Sequence, residues 1–329
     1  KRCLLPLLFL IGLILLGCKF PALALAALQE STPTAKPTEI PDTPTPAITA
    51  TFRPTATPDT RPVTVQINAD GSGDYPSLAE AVEGVTPGST IRLSKGTHIL
   101  TESLNLHKPV HILGVDPEQT TIRGTVSDRN MIQYEGSGTF SMENIGIEYT
   151  SNTFGSSLGI SEGEEIHIKN CRFTGAKHDI DSEGHGGGVG LWVGGNTTGV
   201  IEQSEFSNNG SYGIELSEKT KITLISNHCH NNIKDGIALF DESKGTLLYN
   251  RLENNGDNGF FARDNALVEA TENDIRGNKQ EGVYLMENVM AEMINNTISE
   301  NGDAGIVLAD KSSALLQENT ISENAGSGI

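Results

Sequence analysis

This chain has little with which to staple or plate an interior. Of its 329 residues four are cysteine, one is tryptophan and only 5% are aromatic, so neither a disulfide framework nor an aromatic-rich core can carry the fold. Positive charge is also scarce. Lys and Arg number 23 against 42 Asp and Glu, a formal charge of −19, which disfavours nucleic acid and anionic membrane surfaces as direct partners. A polyanionic sugar chain would need bridging cations or a local basic patch. The long apolar run is confined to Leu4–Leu16. From residue 190 onward no ten-residue stretch has helical periodicity, which excludes leucine-rich, ankyrin and tetratricopeptide arrays.

What is present is repetition. "NTISENGDAGI" from Asn296 returns 23 residues later as "NTISENAGSGI". Glycine keeps the same interval at Gly190, Gly213, Gly236, Gly259, Gly282, Gly305 and Gly328, and two asparagine columns run from Asn209 to Asn324 and from Asn227 to Asn319. After each glycine the pattern alternates as a strand does, with Leu191, Ile214 and Ile237 pointing one way and Trp192, Glu215, Ala238, Phe261, Tyr284 and Val307 the other. A second short strand carries Ile201, Leu224 and Leu247, and a third Phe206, Cys229 and Leu252. Three short strands per 23-residue turn, with Asn/Gly corners, describe an all-β, single-stranded right-handed parallel β-helix of about ten coils. Asparagine suits corners because it tolerates left-handed backbone angles, and stacked amides can bond along the axis. Upstream, Ile168, Cys171 and Phe173 align with the same columns, but the next interval is ten residues too long, with the surplus in "TGAKHDIDSEGHGGG". Cys171 and Cys229, two coils apart, are too distant for a disulfide and read as core thiols.

The N-terminal part reads differently. Lys1 and Arg2, the apolar run and "LLGC" form a secretory leader over residues 1–17, and Cys18 resembles the lipidated cysteine of bacterial lipoproteins. Residues 18–62 continue as a tether. Ser31–Pro62 holds eight of fourteen prolines and too few apolar residues for a core; as polyproline II it would reach up to about 100 Å. The expectation is an exported protein held to a bilayer through Cys18, on the outer side of the bacterial cytoplasmic membrane or on the cell surface. The absent initial Met and the unfinished last repeat suggest that the natural chain is longer.

The folded part, residues 63–329, opens with a cap and first coils over 63–105, and residues 190–329 hold the regular repeats. In "SLAEAVEGV" Ser77 and Glu80 predict a capping box, with Leu78, Ala81, Val82 and Val85 on one face. Such a helix would plug the open end of the first coil. "DGSGDYPSLAEAV", "IRLSKGTHIL" and "HILGVDPEQTTIRG" resemble the N-terminal cap of the pectin-lyase-like superfamily, pectin methylesterases in particular, and the repeats resemble those of carbohydrate-binding β-helices and sugar hydrolases. The resemblance implies a polysaccharide partner. It does not extend to esterase chemistry: "GTHIL" places His98 and Leu100 where those enzymes carry tyrosine and glutamate, and their later catalytic motifs have no counterpart.

Candidate sites fall into three groups. The outward residues Trp192, Phe261 and Tyr284, with Phe240 and Met286 two positions further along their strands, would make a platform for sugar rings on a flat sheet. Glu218, Asp241, Asp264, Glu287 and Asp310 form an acidic column, about 4.8 Å between coils, which is either a solvated corner or a site for Ca²⁺. Arg263 beside Asp264 and Asp241 is the grouping reminiscent of a lyase. In the insertion, His178, Asp179, Asp181, Glu183 and His185 offer metal donors or a polar loop. His228 and His230 flank inward Cys229 and should face solvent. The function expected is binding, with or without processing, of extracellular or cell-wall polysaccharide by a monomer. The alternatives are a polysaccharide lyase or hydrolase, and a non-catalytic spacer or adhesin with a protein partner.

Overall fold

The computed structural model describes residues 60–126, 130–178 and 187–329. Three all-parallel sheets wind into one solenoid. The first has nine strands, from Leu104–Leu106 to Ile306–Leu308; the second eleven, from Thr64–Ile67 to Ser313–Gln317; the third ten, from Gly96–Leu100 to Thr320–Ser322. Each 23-residue repeat is one coil. Its strands are short, three residues in the first and third sheets and five in the second, as at Leu191–Val193, Thr198–Glu202 and Glu205–Ser207.

Alternation buries one side of every strand. Leu191, Ile214, Ile237, Phe260, Val283 and Ile306 stack inside the first sheet, and Phe173, Phe206, Cys229, Leu252, Ile275 and Ile298 inside the third, all at most 1% exposed. Phe173 and Phe206 lie face to face with centroids 4.9 Å apart. Both free thiols are buried, Cys229 in this stack and Cys171 at the corner just before it, and burial pushes Cys171 up to about 12.

The capping helix, Leu78–Gly84, covers the apolar end against the first two strands of the second sheet. Ser77 Oγ accepts the Glu80 N–H at 3.2 Å. The Glu80 carboxylate accepts the Ser77 hydroxyl at 3.2 Å, so side chain meets side chain in this box. Leu78, Ala81, Val82 and Val85 all face inward.

The ladders run as the columns require, and of the two reasons for asparagine the stacked amide bonds hold while the left-handed angle does not. In the first, each Nδ2 donates to the next Oδ1, from Asn227 through Asn250, Asn273 and Asn296 to Asn319, at 2.9–3.1 Å. Each Oδ1 also accepts the main-chain N–H of the asparagine one coil back, and each Nδ2 also donates to a carbonyl, as Asn250 does to Leu224. The left-handed residue is the one before the ladder asparagine: Ser226, Tyr249, Glu272, Asn295 and Glu318 have φ of 54–60°. The asparagines are there to satisfy buried main-chain groups, not to turn the corner. The repeat glycines have no left-handed angle either. A Cβ on Gly236 would lie 2.7 Å from the carbonyl oxygen of Gly259 and 2.9 Å from Asn255 Nδ2, so close approach excludes a side chain.

The oversized coil keeps its register. Phe173 pairs with Phe206, 33 residues on, and Leu158 with Leu191. The surplus leaves between the third and first sheets, where Gly155 and Lys177 form an antiparallel bridge.

Candidate functional site

The outer face of the first sheet concentrates the chemistry. Its outward column is in register from Trp192 through Glu215, Ala238, Phe261 and Tyr284 to Val307. The Trp192 indole Nε1 donates to Ser217 Oγ at 3.0 Å, which fixes the ring beside Glu218. Rings then continue along the face: Tyr212–Phe240, Phe240–Phe261 and Phe261–Tyr284 have centroids 5.8, 5.9 and 5.7 Å apart. Phe240, expected to stand exposed, is only 9% accessible. It leaves the solenoid but is covered by Tyr212, Phe261 and the Arg263 guanidinium, whose carbon lies 4.9 Å from the ring centroid. Trp192, Phe261 and Tyr284 are half-buried.

Among these rings sit charges, two of them, Lys234 and Asp235, outside any of the repeated columns. Lys234 Nζ stands 5.3 Å from the Tyr212 ring centroid. Burial pushes Glu215 up to about 7, against the pull of Lys234 and Arg263 and with a further push from Asp241. Asp235, almost wholly enclosed, is also raised to about 7 by burial, although its Oδ1 accepts both the N–H and the Nδ2 of Asn258 at 2.8 Å. Tyr212 is pushed well above its ordinary range, first by burial and then by Asp235 and Glu215. A carboxyl poised near neutrality can give or take a proton at physiological pH. Glu215 had a signal in the sequence: it is the one carboxylic acid in an outward column of Trp, Ala, Phe, Tyr and Val. Lys234 and Asp235 had none, because they reach the groove from the preceding corner.

The acidic column is a main-chain ladder. Glu218, Asp241, Asp264, Glu287 and Asp310 all have φ of 58–63°. Asp241 Oδ2 accepts the N–H of Glu218 at 2.9 Å, Asp264 Oδ2 that of Asp241 at 3.1 Å and Asp310 Oδ2 that of Glu287 at 3.3 Å. Here the acidic side chain sits on the left-handed corner itself and reaches back to cap the coil before it. Arg263 Nε is 3.5 Å from Asp264. No cluster of three or more His, Cys, Asp or Glu with metal-binding geometry occurs among the described residues.

His178 Nδ1 lies 3.0 Å from the Gly187 carbonyl oxygen; Asp179, Asp181, Glu183 and His185 lie outside the described residues, as does Cys18. On the third sheet, His228 and His230 are not free in solvent as expected. Their rings stack at 4.1 Å, and their Nε2 atoms lie 2.9 Å from Glu253 and 3.2 Å from Glu205.

The solenoid and its ladders define the class, and the chain belongs to the right-handed β-helix region family, whose model matches residues 110–265 and 158–321. Among solved structures it is similar to the A-module of a mannuronan C-5 epimerase from Azotobacter vinelandii (TM-score 0.59, 17% identity, 76% of this chain and 71% of that one). A pectate lyase aligns at 0.53 with 15% identity over 78% and 79%. A periplasmic alginate epimerase double mutant aligns at 0.56 with 18% identity over 79% and 64%. No curated protein matches the chain by sequence.

Proposed function

We propose that the outer face of the first sheet binds polysaccharide. The observation that carries this reading is the run of ring contacts from Tyr212 to Tyr284, on the same sheet face as Trp192 and beside Glu215, Lys234 and Arg263: aromatic surface for sugar faces, with polar groups set among it to fix orientation. The similar solved structures support it, being named for mannuronan, pectate and alginate. Processing of the bound glycan is a second reading, favoured by two carboxyls, Glu215 and Asp235, held near 7 beside one tyrosine. The leader, Cys18 and the tether would hold this groove outside a membrane; Cys18→Ala releasing the protein from membranes would test that part.

The test of binding is a polysaccharide array probed with the protein and with its Trp192→Ala and Tyr284→Ala variants. The expected result is retention of one glycan class, weakened at least tenfold by either substitution. Equal retention by all three folded proteins, or none by any, overturns the assignment. Incubation of a retained glycan with the protein and with Glu215→Gln then separates a processing groove from a binding one, by whether new chain ends or altered sugars accumulate.

A further inference from the structure

The outer faces of the second and third sheets differ in chemistry. From Glu205–Ser207 onward the third sheet presents only polar and charged side chains outward. The last six strands of the second sheet are Thr198–Glu202, Lys221–Ile225, Lys244–Leu248, Leu267–Thr271, Met290–Ile294 and Ser313–Gln317. Each of their residues pairs with the one 23 positions on, so the outward side chains form three straight columns. In those columns Met290 is 58% exposed, Leu315 52% and Leu267 37%, and Val200, Ile225, Leu248 and Ile294 are half-buried. A contiguous apolar patch of this kind marks an interaction surface. Its charges nearly cancel, Lys221 and Lys244 against Glu202, Glu269 and Glu292, in a chain of formal charge −19. Lys244 is paired with Glu269, and Glu202 with Lys169. Lys221 and Glu292 are exposed and, among the described residues, make no ion pair.

We infer that this face joins two copies of the chain in a two-fold dimer, a departure from the monomer expected from the sequence. The face is complementary to itself. Consider a two-fold axis lying in the face, parallel to the strands and midway between Lys244–Leu248 and Leu267–Thr271. It sets the six strands of one protomer against the same six of its partner in reverse order. Side chains at equal places along the strands then meet: Val200 lies over Leu315, and Ile225 over Ile294. The Lys221 stem crosses Met290, which brings its ammonium beside Glu292, the next outward residue of that strand. The unpaired charges of each protomer thus satisfy those of the other, and at the axis the Lys244–Glu269 pair meets its own mate. A basic partner would be drawn to the acidic remainder of the surface, whereas two acidic chains approach closely only where charge cancels. Six strands at about 4.8 Å by five residues at about 3.3 Å give a footprint of roughly 500 Å² per protomer, or about 1,000 Å² in all, the low end for a specific interface. The dimer should therefore dissociate on dilution. The first-sheet groove lies on another face and stays open, so this inference stands apart from polysaccharide binding.

Sedimentation velocity on the full chain at low salt, from about 1 to 200 μM, tests it. The expected result is a monomer at the dilute end and a dimer at the concentrated end. Lys221→Glu and Glu292→Lys, each checked for folding by circular dichroism, set like charge against like on both sides of the axis. Each should weaken dimerisation at least tenfold. Mixed in equal amounts, the two variants restore opposite charges at both contacts, and the mixture should associate within about threefold of the parent. A parent that stays monomeric throughout overturns the inference and leaves the face to a different partner. Association that is equal in the parent, both variants and their mixture also overturns it, because contacts elsewhere in the chain would then hold the copies together. A mixture no stronger than either variant alone overturns the two-fold pairing of Lys221 with Glu292.

Discussion

Asp241 reaches back one coil and accepts the main-chain N–H of Glu218 at 2.9 Å. Both residues are left-handed, with φ of 59°, so the column that resembles a cation site from its composition is bonded first to its own backbone. Asp241→Ala leaves that N–H without its partner and should cost about 1–2 kcal/mol in urea unfolding. Asp241→Asn keeps an acceptor and should cost less than half as much. Equal losses in the two variants would mean that the charge, not the hydrogen bond, is what the column needs.

The amide ladder makes a stronger demand. Asn255 is fully buried; its Oδ1 accepts from the N–H and Nδ2 of Asn232, and its Nδ2 donates to Cys229 O and Asn278 Oδ1. Asn255→Ala strands donors and an acceptor on two coils at once. A loss of about 3 kcal/mol is expected, with the denaturant midpoint as readout. A variant within 0.5 kcal/mol of the parent would show that coil stacking alone holds the corner.

The solenoid was legible in the sequence because a coil is a local object repeated: a 23-residue period copies the same strand, corner and ladder, and one register error would have broken every column. What the ladder does was less legible, since the residue that turns the corner stands just before the asparagine and varies freely, from Ser226 to Tyr249 to Glu272. The groove was half legible. Trp192, Phe261 and Tyr284 share one strand position, which periodicity reveals. Lys234 and Asp235 come from a corner, and Tyr212 from the corner one coil back; only three-dimensional placement brings them to Glu215. Phe240 was read as exposed because strand parity says which way a side chain leaves the sheet, not what then folds over it.

The third sheet should set the acid limb of stability. Glu205 is held down at about 2, first by its hydrogen bond with His230 and then by Ser207, despite the opposing effect of burial. A carboxyl lowered in the folded state contributes stability that is present above its unfolded value of 4.5 and is lost as pH falls towards 2. Glu205→Gln should therefore lower Tm at pH 6 and converge with the parent near pH 2. A constant difference across that range would place the effect in packing.

Glu215 and Asp235 act in the opposite sense. Both are raised to about 7, from 4.5 and 3.8, chiefly by burial. Over that interval the folded protein holds protons that the unfolded chain releases, so stability is greatest at the acid end and falls as pH rises until both groups have ionised in the fold. The two substitutions separate their shares. Glu215→Gln should flatten the decline between about pH 4.5 and 7 and leave the protein more stable at pH 8 than its parent. Asp235→Asn should do the same from about pH 4, but less completely, because the ionised carboxylate is the better acceptor for the two Asn258 bonds. Such a stabilised but binding-altered variant is what a strained functional carboxyl predicts. Thermal melts at half-unit pH steps on parent and variants would check it, and a Glu215→Gln protein that is less stable than the parent at pH 8 would show that the carboxylate is a structural partner of Lys234 and Arg263 instead.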